Sequence, residues 1–153
     1  MGSCDEAEVR LMRDITDIIV HGSATPPSMD IGVREIRRWH IERGFIDVGY
    51  TTVTRRNGII ELGRDLDGDN DVLEEIGAHT YGFNKNSVGL CLVGGLSEDG
   101  EPYFNYTCHQ LFALRNNIQQ LLEYFPGAVV GGHRDYNSST WCPGFDVKAW
   151  FYG

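Results

Sequence analysis

The chain has 153 residues, 41% of them hydrophobic and 23% charged, which is an ordinary globular composition and enough length for one domain with a buried core. No apolar run approaches the ~20 residues that a membrane-crossing helix needs, and the N-terminus lacks the basic and apolar regions of a secretory signal. With 22 acidic against 13 basic residues and a formal charge of −9, the chain lacks the clustered Lys and Arg with which nucleic-acid binders neutralise phosphate. Composition therefore points to a monomer made and kept in the cytosol, with neither nucleic acid nor membrane as partner.

Residues 1–16 read as a lead-in segment. Met1-Gly2-Ser3-Cys4-Asp5-Glu6 begins like a myristoylation site, but Glu6 stands where Ser or Thr is wanted. Asp17-Ile18-Ile19-Val20 is an apolar strand that ends at His21 and the small residues Gly22-Ser23-Ala24-Thr25. After the loop Thr25-Pro26-Pro27-Ser28, the spacing of Val33, Ile36, Trp39 and His40 predicts one buried helix face, stopped by Gly44. His40 on that face is expected to be half-buried and hydrogen-bonded near the helix end. Asp47-Val48-Gly49 turns the chain into a second strand, Tyr50 to Arg55, and Asn57-Gly58 predicts a two-residue hairpin loop leading to a third strand, Ile59 to Leu62.

The segment Asp65 to Glu75 carries acids at the first, third and fifth positions of a calcium loop, but Asn70 replaces the turn glycine and Ile76 the closing glutamate. It reads as a solvated acidic loop. The uninterrupted apolar run Val88 to Val93 suits a central strand buried on both faces, with Cys91 a small hydrophobe within it. Thr107 and Gln110 form a capping box ahead of Leu111, Leu114, Ile118, Leu121 and Leu122, which share one face of a long helix that Pro126-Gly127 ends. The sequon Asn105-Tyr106-Thr107 is a chance match in a chain without a secretion signal. Ala128-Val129-Val130 is a fifth strand, and Asp146 caps a short terminal helix whose Trp150 and Phe151 dock on the body.

Just past the fifth strand stand His133 and Cys142, separated by a loop rich in Asn, Ser and Thr. Two ligands do not make a stable zinc site; a catalytic Zn²⁺ takes three from the protein and leaves a fourth position open. His21, at the end of another apolar strand, is the third candidate, because two strands that lie side by side can aim both imidazoles at one point. The proposed set is His21, His133 and Cys142, with water fourth, set against the plainer reading that a lone His or Cys is packed or hydrogen-bonded. The four cysteines form no close pair, so no redox or zinc-ribbon motif is present, and Cys4 and Cys108 have no assigned role.

Four segments carry a resemblance: Val20 to Thr25, Ile36 to His40 running on to Asp47-Val48-Gly49-Tyr50, Asn84 to Gly95, and His133 to Gly144. Together they resemble the zinc-dependent N-acetylmuramoyl-L-alanine amidases of the phage lysozyme type, relatives of the peptidoglycan recognition proteins, over about residues 17 to 150. The resemblance implies a single α/β amidase domain over 1–153, with helices flanking a mixed sheet of about five strands. It implies Zn²⁺ on His21, His133 and Cys142, peptidoglycan or muropeptides as substrate, and cleavage of the amide between N-acetylmuramic acid and L-alanine. Such an endolysin would act on the wall after release from the cytosol.

Tyr50 matches the family's active-site tyrosine, placed to hydrogen-bond water or the developing oxyanion, against the plainer reading of a strand tyrosine with its hydroxyl at the rim. Thr140 stands where the phage pattern has lysine, so it would donate a hydrogen bond without a positive charge. Thr51 stands where that pattern has histidine. His79 either lines the substrate groove, as in the family, or merely hydrogen-bonds backbone in its loop. The alternative to hydrolysis is a non-catalytic module that recognises wall fragments or binds a host protein. Retention of Cys142, which recognition-only relatives commonly lack, favours hydrolysis.

Overall fold

β1 (Asp17–Gly22) and β4 (Ser87–Leu92) run parallel through the centre of the sheet, in register from Asp17 against Ser87 to Gly22 against Leu92. Strands covered on both faces must be apolar on both faces, which is why their sequences do not alternate. β5 (Val129–Gly132) pairs parallel with β1 on its other side, β2 (Thr52–Thr54) pairs parallel with β4, and β3 (Ile60–Leu62) closes the far edge antiparallel to β2. The order is β3-β2-β4-β1-β5, a mixed five-stranded sheet with helices on both sides, as the resemblance implies. The computed structural model describes residues 13–153; the first twelve residues of the lead-in, with the myristoylation-like start and Cys4, lie outside the described residues. Residues 13–16 already belong to the body: Ile15 is buried, and Arg13 donates to the carbonyls of Leu73, Lys85 and Ser87.

Side-chain alternation divides the core in two. Ile18 and Val20 of β1, and Val88, Leu90 and Leu92 of β4, pack with Leu114, Ile118 and Leu121 of the long helix α2 (Cys108–Tyr124) and with Val147 of the terminal helix α3 (Val147–Tyr152). On the other face Cys91 and Val93 pack with Val53, Val48 and Ile36, the last from α1 (Val33–Glu42). The helix predicted over Val33 to Gly44 is therefore present, its stop made at Gly44 with φ +98°. α3 is capped by Asp146, whose carboxylate accepts from the Ala149 amide, and Trp150 and Phe151 pack against the core under the Arg115 guanidinium.

Two local expectations change. β2 starts at Thr52 rather than Tyr50. The reason lies just upstream, where the Gly49 amide donates to His40 Nδ1 and the Gly49 carbonyl accepts from Ala78, so the chain is tied to α1 and to the 78–80 loop before it joins the sheet. The hairpin is a three-residue loop, Arg56-Asn57-Gly58, with the Arg55 carbonyl accepting from Gly58; only Gly58, at φ +89°, takes the left-handed conformation that Asn57 was expected to share. The acidic loop is organised largely by its own side chains. Asp65 accepts from the amides of Gly68 and Asn70, and Asp69 from that of Asp71, so its carboxylates cap their own backbone.

The capping box at the start of α2 does more than close a helix. Thr107 Oγ1 accepts from the Gln110 amide and Gln110 Oε1 from the Thr107 amide, while Gln110 Nε2 donates to the carbonyls of Thr54 (3.1 Å) and Val93 (2.8 Å). Gln110 is fully buried, and its side chain bonds three backbone groups, two of them, the Thr54 and Val93 carbonyls, in buried contacts. Gln110→Met keeps the volume and removes the three side-chain bonds while leaving the Gln110 amide bonded to Thr107; the expected loss is roughly 1–3 kcal/mol, read as a lower midpoint with an unchanged slope in urea denaturation.

Candidate metal centre

Val20 of β1 lies opposite Gly132 of β5, so the residues that follow, His21 near the end of β1 and His133 just past β5, stand beside each other, with ring centroids 4.6 Å apart. This is the carboxyl edge of a set of parallel strands, where open α/β sheets place their ligands. His133 begins a short 3₁₀ turn, His133–Asp135, and the loop it opens returns to bring in Cys142, its ends joined by the Arg134 amide donating to the Cys142 carbonyl at 2.8 Å. Cys142 Sγ sits 3.9 Å from His21 Nδ1 and accepts from the Gly22 amide at 3.2 Å. One ligand atom from each of His21, His133 and Cys142 falls within 4.8 Å of the others. A tetrahedral ion with M–N of about 2.0–2.1 Å and M–S of about 2.3 Å needs its ligands roughly 3.3–3.8 Å apart, so small side-chain shifts close the group around one ion.

Protonation suits the same role. Burial first, then the neighbouring His79 and His133, holds His21 well below the ordinary histidine range, and burial also lowers His133. Both imidazoles are therefore neutral at pH 7, which is the form that coordinates. Burial pushes the Cys142 thiol up to about 11, against the smaller pull of the Gly22 amide. A metal cation is what would convert it to thiolate.

The three residues open into a cleft of about 430 Å³, whose other lining residues include His40, Arg43, Tyr50, His79, Asn84 and Asn137. Tyr50 lies with its ring centroid 5.1 Å from that of His21 and 5.3 Å from that of His40. Burial raises its phenol well above 10, so it is a hydrogen-bond donor at neutral pH. Thr140 Oγ1 accepts from the Cys142 amide at 3.2 Å, which holds the ligand loop. His79 does line the cleft, but its Nδ1 meets His21 Nε2 at 2.9 Å and Thr80 Oγ1 at 2.9 Å. The reading of His79 as a histidine that only bonds backbone is thus replaced by side-chain contacts.

Arg43, Asn84 and Asn137 were missed. Among the described residues Arg43 is the one formally charged side chain lining the cleft, but in the sequence it looks like the end of a helix. Asn137 falls inside the polar loop already singled out, and nothing separated it from its Ser and Thr neighbours. Asn84 Oδ1 accepts from the amides of both His79 and Thr80 at 2.9 Å, a clamp that no local pattern predicts.

The protein-family model described as N-acetylmuramoyl-L-alanine amidase matches residues 11–145, a stretch containing His21, His133 and Cys142. The endolysin of Klebsiella phage KP32 is 45% identical over 139 residues, which is 91% of this chain and 87% of the relative. The N-acetylmuramoyl-L-alanine amidase LysC from Clostridium intestinale shares the fold with a TM-score of 0.73 at 23% identity, over 92% of this chain and 87% of that one. Wild-type Drosophila PGRP-LB aligns with a TM-score of 0.71 at 26% identity, over 91% and 81%.

His40 gives the site a pH signature. It is buried, accepts from the Gly49 amide through Nδ1, and is pushed down to about 4 by burial, with Arg43 and Arg64 adding to the effect. In the unfolded chain its pKa returns to about 6.5. Between those values the unfolded state binds the extra proton, so His40's contribution is complete above about pH 6.5 and is lost as pH falls toward 4. His40→Gln keeps an acceptor for Gly49 but cannot titrate. The melting-temperature gap between wild type and His40→Gln is expected to narrow or reverse as pH falls through that window, measured by thermal scans in matched buffers.

Proposed function

The chain belongs to the N-acetylmuramoyl-L-alanine amidase family and is a peptidoglycan amidase of the phage endolysin type, and we propose that it works through a zinc ion held by His21, His133 and Cys142. The observation that carries this reading is the convergence of those three ligand atoms within 4.8 Å at one end of the sheet. Two neutral imidazoles and one thiol form a mixed nitrogen and sulfur set of the kind Zn²⁺ prefers, and three protein ligands leave a position open. Bound there, the ion would supply Lewis acidity for hydrolysis of the amide between the lactyl group of N-acetylmuramic acid and L-alanine.

The chain's own groups do the rest. Tyr50, protonated and with its ring beside that of His21, is assigned the donor role in this reading: a hydrogen bond to the oxygen that would gain charge as the amide carbon becomes tetrahedral. Arg43 offers the cleft a positive charge for an acidic stem peptide. Thr140 remains a second candidate donor: accepting from the Cys142 amide leaves its own O–H free, but its first effect is to hold the loop that presents Cys142. His79 also lines the cleft, with its Nδ1 in contact with His21 and Thr80.

Two variants test the assignment. Cys142→Ser is expected to lose both bound zinc and release of new alanine amino termini from purified cell wall. Tyr50→Phe is expected to keep zinc and lose on the order of a hundredfold in kcat. Zinc bound by the wild type without any release would instead support a wall-binding module, and normal digestion by both variants would remove the site assignment.

A further inference from the structure

We propose that His79, assisted by Thr80, is a positioning residue that fixes the tautomer and tilt of His21, rather than a group that reads the substrate. This rests on the zinc reading of His21, His133 and Cys142 given above. His21 has two ring nitrogens with different partners: Nδ1 faces Cys142 Sγ at 3.9 Å, and Nε2 faces His79 Nδ1 at 2.9 Å and Thr80 Oγ1 at 3.2 Å. A neutral imidazole carries one proton, so a lone pair on Nδ1 toward the metal point requires the proton on Nε2. That proton then needs an acceptor in a place closed to water, since His21 is only 1% exposed. His79 Nδ1 supplies it, with Thr80 Oγ1 as a second acceptor.

Three independent features hold the His79 ring where it can do this. Asn84 Oδ1 accepts from the amides of His79 and Thr80, fixing both residues. The Ala78 amide donates to the Gly49 carbonyl, tying the preceding residue to the chain that enters β2. On β4, residue 89 is glycine, and a Cβ there would lie 2.5 Å from His79 Cγ and 2.7 Å from Nδ1, so the imidazole occupies the space a side chain would take. Gly89 is paired with Ile19, two residues before His21 and on the same face of β1. A glycine in the middle of a fully buried strand weakens it; here it gives the ring room to reach His21.

Groups that orient a metal-bound histidine through its outer nitrogen typically contribute about 10- to 100-fold in metal affinity. The test compares His79→Gln with His79→Met, two side chains of similar length that fill the same space but differ in having an acceptor oxygen. Zn²⁺ affinity is measured by competition with a chromophoric chelator, and the His21 tautomer by ring ¹⁵N shifts of the zinc-free protein. Expected are affinity near wild type for Gln, about 10- to 100-fold weaker binding for Met, a proton on Nε2 in wild type, and mixed tautomers in the Met variant. Equal zinc affinities for the two variants, with KM for wall fragments raised in both, would overturn the proposal and make His79 a substrate group. A wild type that takes up no zinc would remove the metal reading itself, before any variant is compared, and this proposal with it.

Discussion

The site depends on the parallel pairing of β1 with β5. Their register sets Val20 against Gly132, and everything at the carboxyl edge follows from it: two imidazoles emerge side by side from strands that cannot move independently. Side chains alternate along a strand, so a slip of one residue would send His21 to the opposite face, into the core under α2. The apolar filling of both faces prevents that slip. Ile18 and Val20 are committed to one core while Ile19, also fully buried, points the other way. The precision of the site is thus purchased with hydrophobic burial along the strands, several residues away from the chemistry.

Charge is handled by exclusion. In a protein with a formal charge of −9, no carboxylate is found among the described residues that line the cleft. Burial keeps His21, His133 and His40 neutral and Cys142 a thiol. Among the described residues, the result is a polar pocket whose lining carries one cation, Arg43. The acids that could compete for a metal are gathered instead in the 65–75 loop, where they are occupied with their own backbone amides.

The parts of this arrangement legible in the sequence are those governed by short-range rules. Apolar runs located the strands, helix spacing found α1 and α2, and the Thr107–Gln110 box marked a helix start. Two strands each ending in histidine, with one cysteine in a polar loop, were enough to nominate His21, His133 and Cys142. What stayed hidden depends on partners distant in the chain. Tyr50 was placed inside a strand because nothing local reveals that His40 and Ala78 hold Gly49 out of the sheet. The bond that Thr140 accepts from the Cys142 amide two residues away was not read either. Gln110 shows its capping role in the sequence and conceals its bonds to Thr54 and Val93.

The contrast between His21 and Cys142 shows how rigid and adjustable supports are combined. His21 belongs to a strand and is gripped at both ring nitrogens' sides, by Cys142 and by the His79–Thr80 pair. Cys142 arrives on a loop whose order comes from the Arg134 and Thr140 contacts with its own backbone and from the Gly22 amide on its sulfur. That last bond connects the two supports, because Gly22 directly follows His21 in β1. A displacement of the strand end therefore carries the sulfur's hydrogen-bond donor with it, and the thiol and the imidazole move together. Separation of the two ligands requires breaking an N–H···S contact and leaving the Gly22 amide without a partner, a cost that a loop tethered only at its ends would not incur.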